Sequence, residues 1–135
     1  MTQEEKSLLL KDLCARLPYG VKCKWEHEYE GKTYTGGGIL CDIDHVKTPN
    51  GYRYWDCYFE DEDDDIPIEL VKPYLRSMAS MTEKERKHWR DISLSRPDWD
   101  FTARCLDWLN SRHFDYRGLL ERGLALEATE EMYKF

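Results

Sequence analysis

Hydrophobic and polar residues change their rhythm twice along this chain. Leu10, Leu13, Cys14 and Leu17 recur at i, i+3, i+4 and i+7, the spacing that gathers side chains on one face of a helix. Thr2 and Glu5 stand ahead of them at capping-box spacing, so a helix is predicted over residues 1–17. Pro18-Tyr19-Gly20 ends it, because proline cannot continue a helix and glycine enters a left-handed turn freely. From Val21 the period becomes two: Val21, Cys23, Trp25, His27 and Tyr29 alternate with Lys22, Lys24, Glu26 and Glu28, as in a half-buried strand. Glu30-Gly31-Lys32 has the length of a hairpin loop, and a second strand is predicted from Thr33 to Val46. Gly36-Gly37-Gly38 within it predicts a bulge or sharp bend, beyond which Ile39, Cys41 and Ile43 share a face. Thr48-Pro49-Asn50-Gly51 then turns the chain into a third strand, Tyr52 to Phe59. Its Trp55, Cys57 and Phe59 lie on one side, with Tyr52, Tyr54 and Tyr58 on the other. Ile66 to Val71 reads as a short edge strand, since Pro67 lacks the N–H that a central strand needs.

After residue 77 the period returns to that of a helix. Thr82 and Glu85 repeat the capping-box spacing and open a polar helix through about Asp91, with Met81, Trp89 and Ile92 as a thin apolar edge. Beyond the Ser95-Arg96-Pro97-Asp98 break, Phe101, Cys105, Trp108 and Leu109 form a helical face. Asp115 is predicted to cap a further short helix containing Leu119 and Leu120, stopped by Gly123. The pattern describes a single α+β domain of 135 residues: an N-terminal helix over 1–17, a β module over 20–71 and a helical part over 77–135 packed on it. The β module is predicted to be a small curled antiparallel sheet or an SH3-like barrel.

Charge narrows the choice of partner. The formal net charge is −7, yet residues 1–59 carry net −1 and residues 66–135 are balanced. The remaining −6 is the run Glu60-Asp61-Glu62-Asp63-Asp64-Asp65. A net-acidic chain without a basic block offers little to phosphates, which argues against direct nucleic-acid binding and against an anionic membrane surface. No stretch approaches the length of an apolar membrane span, and the N-terminus, Met-Thr-Gln-Glu-Glu-Lys, is acidic where a secretory signal is basic and then apolar. Five widely spaced cysteines without a C-x-x-C pair, four of them at apolar positions of the predicted segments, read as free buried thiols of a reducing compartment. The cytoplasm is the expected location.

Three strings add a comparison: LLLKDLCARLPYGVK at Leu8 to Lys22, VKPYLRSMASMTEKE at Val71 to Glu85, and LNSRHFDYRGLLERGLALEA at Leu109 to Ala128. They resemble a family of short uncharacterised proteins that recurs in gut bacteria of the Bacteroides type, often in phage-like or mobile regions. The strings cover more than a third of the chain. Ser77 departs from the family pattern, which has proline there, and the stretch from about Trp25 to Ile68 matches poorly, being the family's variable part. The resemblance transfers no functional residue. It implies a non-enzymatic accessory protein of mobile-element origin whose variable β region faces what it contacts.

Candidate chemistry is sparse. Cys23-x-x-x-His27 and Cys41-x-x-x-His45 double a spacing seen in zinc sites, but residues i and i+4 on a strand lie about 13 Å apart, too far to share one ion. Asp61-x-Asp63-x-Asp65 begins like a calcium loop, but Ile66 replaces its obligatory glycine and Lys72 its bidentate glutamate. Neither a nucleophile motif nor a phosphate loop is present, and a capping Asp115 and a packed His113 account for that pair without catalysis. No cofactor, metal or catalytic set is therefore predicted. What stands out is an aromatic row, Tyr52, Tyr54 and Tyr58, sharing a face with Asp56 beside the acidic Asp61, Asp63, Asp64 and Asp65. Rings that hold a cation beside carboxylates that attract one suit a protein partner with a basic segment. The expected role is protein–protein interaction. An acidic mimic of nucleic acid that inhibits a host DNA-binding protein is the first alternative, and a small hydrolase or metalloenzyme the second. The pattern leaves the oligomeric state and the strand order open.

Overall fold

Thr2 caps the first helix, α1 (Gln3–Arg16), by accepting from the Glu5 N–H while the Glu5 carboxylate accepts from the Thr2 N–H, the reciprocal pair predicted from spacing. The computed structural model describes residues 1–135. Four further elements form the antiparallel body of the sheet: β1 (Lys22–Tyr29), β2 (Lys32–Lys47), β3 (Arg53–Phe59) and β5 (Val71–Leu75). Two short pieces, β4 (Ile66–Pro67) and β6 (Leu126–Glu127), complete it. The order is β4-β3-β2-β1-β5-β6, with β6 parallel to β5. The helices α2 (Glu83–Ser93) and α3 (Phe101–Ser111) follow β5, so the predicted α+β class and helix–sheet–helix sequence are observed. The sheet stays open between its β4 and β6 edges and does not close into a barrel.

β2 is the spine of this sheet. Its first half, Lys32–Ile39, pairs with β1, and its second half pairs with β3 from Leu40 onward. The Glu30-Gly31 turn between β1 and β2 has positive φ at both residues, as two-residue hairpin loops prefer. The glycine triplet is where β2 comes closest to its surroundings. A Cβ on Gly37 would collide with the Cys23 carbonyl oxygen, and one on Gly36 would stand 2.6 Å from the Trp25 ring. The pairing irregularity sits just beyond it, between Leu40 and Asp42. That bulge brings Leu40 and Ile43 to the core face, opposite Phe59 and Cys57, and leaves Cys41 exposed and Ile39 opposite Lys22 on the other face, so Ile39, Cys41 and Ile43 do not share a face as alternation alone predicts.

One face of the sheet carries the core, a cluster that joins Leu9 and Leu13 of α1 to Val21, Cys23, Leu40, Cys57, Phe59, Val71 and Leu75. The inward face of α1 is Leu9, Asp12, Leu13 and Arg16, one residue out of phase with the apolar stripe read from sequence. Cys14 is exposed as a result. The rotation has a polar cause: Arg16 grips Asp12 through Nε (2.9 Å) and Nη2 (3.1 Å) and donates to the Phe114 carbonyl at 2.6 Å, all of it buried. Arg117 donates to the same Asp12 carboxylate at 3.1 Å.

The last third differs most from its sequence pattern. Met81, Leu109 and Phe114 form a second, smaller cluster with Trp89 and Trp108. The predicted helix after Asp115 is absent. Asp115 still accepts from the Leu119 and Leu120 N–H groups at 2.9 Å each, as a cap does, but Gly118 takes φ +76° and turns the chain away. Residues 126–127 then return to the sheet as β6. No helix is long and apolar enough to cross a membrane.

Candidate functional site

The tyrosine face of β3 forms one wall of a shallow pocket of about 390 Å³ lined by Tyr52, Tyr54, Asp56, Asp65, Pro67 and Glu69. Three neighbours build it. β3 supplies Tyr54 and Asp56 at i and i+2, β4 lies alongside with Pro67 opposite Asp56, and the turn after β4 adds Glu69. The acidic run between β3 and β4 delivers Asp65 to the rim. Tyr52 and Tyr54 stack with ring centres 5.8 Å apart, and Tyr52 remains 60% exposed.

Asp56 is the anomaly of the site. It is only 1% exposed, yet neither carboxylate oxygen has a hydrogen-bond donor in the protein. Burial pushes its carboxyl up to about 6, helped by a carboxyl–carboxyl hydrogen bond with Asp65 that favours the protonated form and by the like charges of Asp65, Asp44 and Glu69. Burial also raises the Tyr54 hydroxyl, assisted by the charges of Asp56 and Asp65. Glu69 is compensated by Lys6 of α1 at 2.8 Å. The uncompensated charge is thus Asp56 with Asp65.

Of the residues singled out by sequence, Tyr52, Tyr54, Asp56 and Asp65 meet in this pocket. Tyr58 shares the strand face, half-buried, outside the lining. Asp61, Asp63 and Asp64 lie exposed on the connection between β3 and β4. Glu62 points the other way and accepts from the Trp25 Nε1–H at 3.0 Å and the Gly37 N–H at 2.8 Å, tying the acidic run to the glycine bend. Sequence reading missed Glu69 and the depth of Asp56. Pro67, read as an edge marker, was the available signal for what lies beside β3. The zinc-like residues occupy strands, with Cys23 buried and His27, Cys41 and His45 exposed, and no group of three or more His, Cys, Asp or Glu side chains is placed to hold a metal ion.

A larger groove, about 810 Å³, runs between α2, α3 and the C-terminal segment, lined among others by Arg76, Glu85, His88, Trp108, Arg112 and Phe135. Its central charges already answer each other: Arg76 donates to both Glu85 oxygens at 2.8 and 2.6 Å and lies 4.3 Å from the Phe114 ring centre. His113 is buried behind this groove, stacked at 4.0 Å on Tyr133 of its lining, and burial lowers its imidazole to about 4, so it stays neutral near pH 7. No family model, curated protein or solved structure matches this chain.

Proposed function

We propose that this protein is a non-catalytic interaction module that docks a basic segment of a partner protein on the pocket between Tyr52, Tyr54, Asp56 and Asp65. The Asp56 carboxylate carries the reading. A carboxylate withdrawn from water without a donor is costly, and a cation arriving from outside relieves that cost on binding. Tyr52 and Tyr54 present ring faces for the same cation. Exposed Asp61, Asp63 and Asp64 surround the pocket with negative potential that draws a basic partner in. The lining is carboxylates, phenols and a proline, groups suited to holding a cation. Most of it falls within the part that departs from the family resemblance, as expected for an accessory protein whose partner varies. All five thiols are free, which suits a reducing, cytoplasmic setting.

The acidic run itself is a poor imitation of a phosphate ladder. Glu62 is committed to Trp25 and Gly37, and Asp65 belongs to the pocket, so the charges are not presented as a regular row.

The test is an NMR titration of the ¹⁵N-labelled protein with a short peptide mixing lysine and arginine, against an acidic control peptide. Amide shifts concentrated in residues 52–69 and weakened by added salt support the docking site. Shifts confined to α2 and α3, or none with the basic peptide, overturn it.

A further inference from the structure

Three carboxylates of this protein are buried: Asp12, Asp56 and Glu85. Two of them are met by arginine from within the chain. Asp12 receives both the Nε and Nη2 of Arg16, whose guanidinium lies 5.5 Å from the Tyr116 ring centre, and a further donor from Arg117. Glu85 receives both terminal nitrogens of Arg76, which stacks on Phe114. In each case a two-toothed guanidinium pairs with the carboxylate while an aromatic ring lies against its face. Asp56 has the aromatic neighbours Tyr52 and Tyr54 and two buried oxygens that no N–H of the protein meets, its one polar neighbour being the Asp65 carboxyl rather than an arginine.

Resting on the docking site proposed above, we infer that the pocket takes the guanidinium of a single arginine side chain supplied by the partner. Asp56 offers two adjacent acceptors, which a planar guanidinium satisfies with two parallel N–H donors. A lysine ammonium presents its donors from one nitrogen and is more strongly hydrated, so burying it here gains less. A trimethylated lysine has no donor and leaves both Asp56 oxygens bare, whatever it gains from the tyrosine rings. Asp65 at the rim takes one of the remaining guanidinium donors, and Glu69 stays with Lys6. The pocket is closed by β4 on one side and open to solvent on the other, which suits entry of a single side chain rather than a folded element.

The experiment uses three synthetic peptides, identical except for a central arginine, lysine or trimethyllysine between glycine and serine residues, titrated into the full chain and followed by the amide shifts of Tyr54 and Asp56. The arginine peptide is expected to bind about tenfold more tightly than the lysine peptide, with trimethyllysine weakest, as loss of one charged hydrogen bond implies. Asp56→Asn, which keeps the side-chain shape, reduces arginine binding about tenfold and abolishes the preference over lysine. Asp65→Asn, on the exposed rim, weakens it less and serves as a folded control. Lysine binding as tightly as arginine, or unchanged arginine binding in Asp56→Asn, overturns the inference while leaving a basic-segment site in place. If none of the three peptides shifts Tyr54 or Asp56, and the mixed basic peptide does not either, the docking site itself is refuted.

Discussion

Asp56 shows how far a single side chain is set by what surrounds it. Alternation places it correctly on the outer face of β3, where an aspartate is ordinarily solvated. Its burial comes with β4, which sets Pro67 opposite it across the ladder, a neighbour that periodicity along β3 cannot report. Its raised carboxyl fixes the sign of a pH effect. Folded Asp56 holds its proton up to about 6, against an ordinary value of 3.8 in the unfolded chain. Its contribution to stability is therefore full below the ordinary value and is lost as pH rises toward and through 6. The charges facing it are Asp65, Asp44 and Glu69, with Lys6 engaged on Glu69. Asp56→Asn is expected to stabilise the free protein at pH 7 by about 1–3 kcal/mol and to have a smaller effect at pH 4. Urea denaturation of both proteins across that range checks it. A variant less stable than the parent at pH 7 would show that Asp56 is compensated in a way the geometry does not contain.

Among the elements, legibility followed exposure of the pattern. Both capping boxes, the β1–β2 hairpin and the start of β3 were readable because each rests on local chemistry: a hydroxyl three residues from a glutamate, a glycine turn, an alternating run. The phase of α1 was not. Hydrophobic spacing chose Leu10, Leu13, Cys14 and Leu17, but the buried face includes Asp12 and Arg16, which look like solvated residues until Phe114 and Arg117 arrive from 98 and 105 positions away. The helix lost after Asp115 failed for the opposite reason: the cap is present, but the left-handed Gly118 prevents propagation. The Asp12–Arg16 pair makes a prediction of its own. Asp12→Ala strands a buried guanidinium and is expected to cost about 3–5 kcal/mol, whereas Cys14→Ser, at the position sequence alone placed on the apolar stripe, costs under about 1 kcal/mol. Equal losses in chemical denaturation would return the helix to its sequence-predicted phase.

At the scale of the whole molecule, the structure is an open sheet with one large core and one small one. The core under α1 draws on every long strand, while α2 and α3 rest on Met81, Leu109 and Phe114 and on the Arg76–Glu85 pair. Regions with less buried apolar contact open more readily. Native-state hydrogen exchange is therefore expected to release the amides of α2 about a hundredfold or more faster than those at the centre of β1, a difference of about 3 kcal/mol in opening free energy. Equal protection would mean that the two clusters unfold as one unit. The candidate site lies beside the larger core, on β3 and β4, so its geometry is held by the better-packed half.

The ionisation of Asp56 tests the central claim most directly. Followed by the ¹³C shift of its side-chain carboxyl in the free protein, Asp56 should titrate near 6. Saturation with the arginine peptide should lower that midpoint by more than about one pH unit, because a paired guanidinium favours the charged form. A midpoint in the ordinary aspartate range in the free protein, or one that stays put when the peptide is bound, would contradict the account.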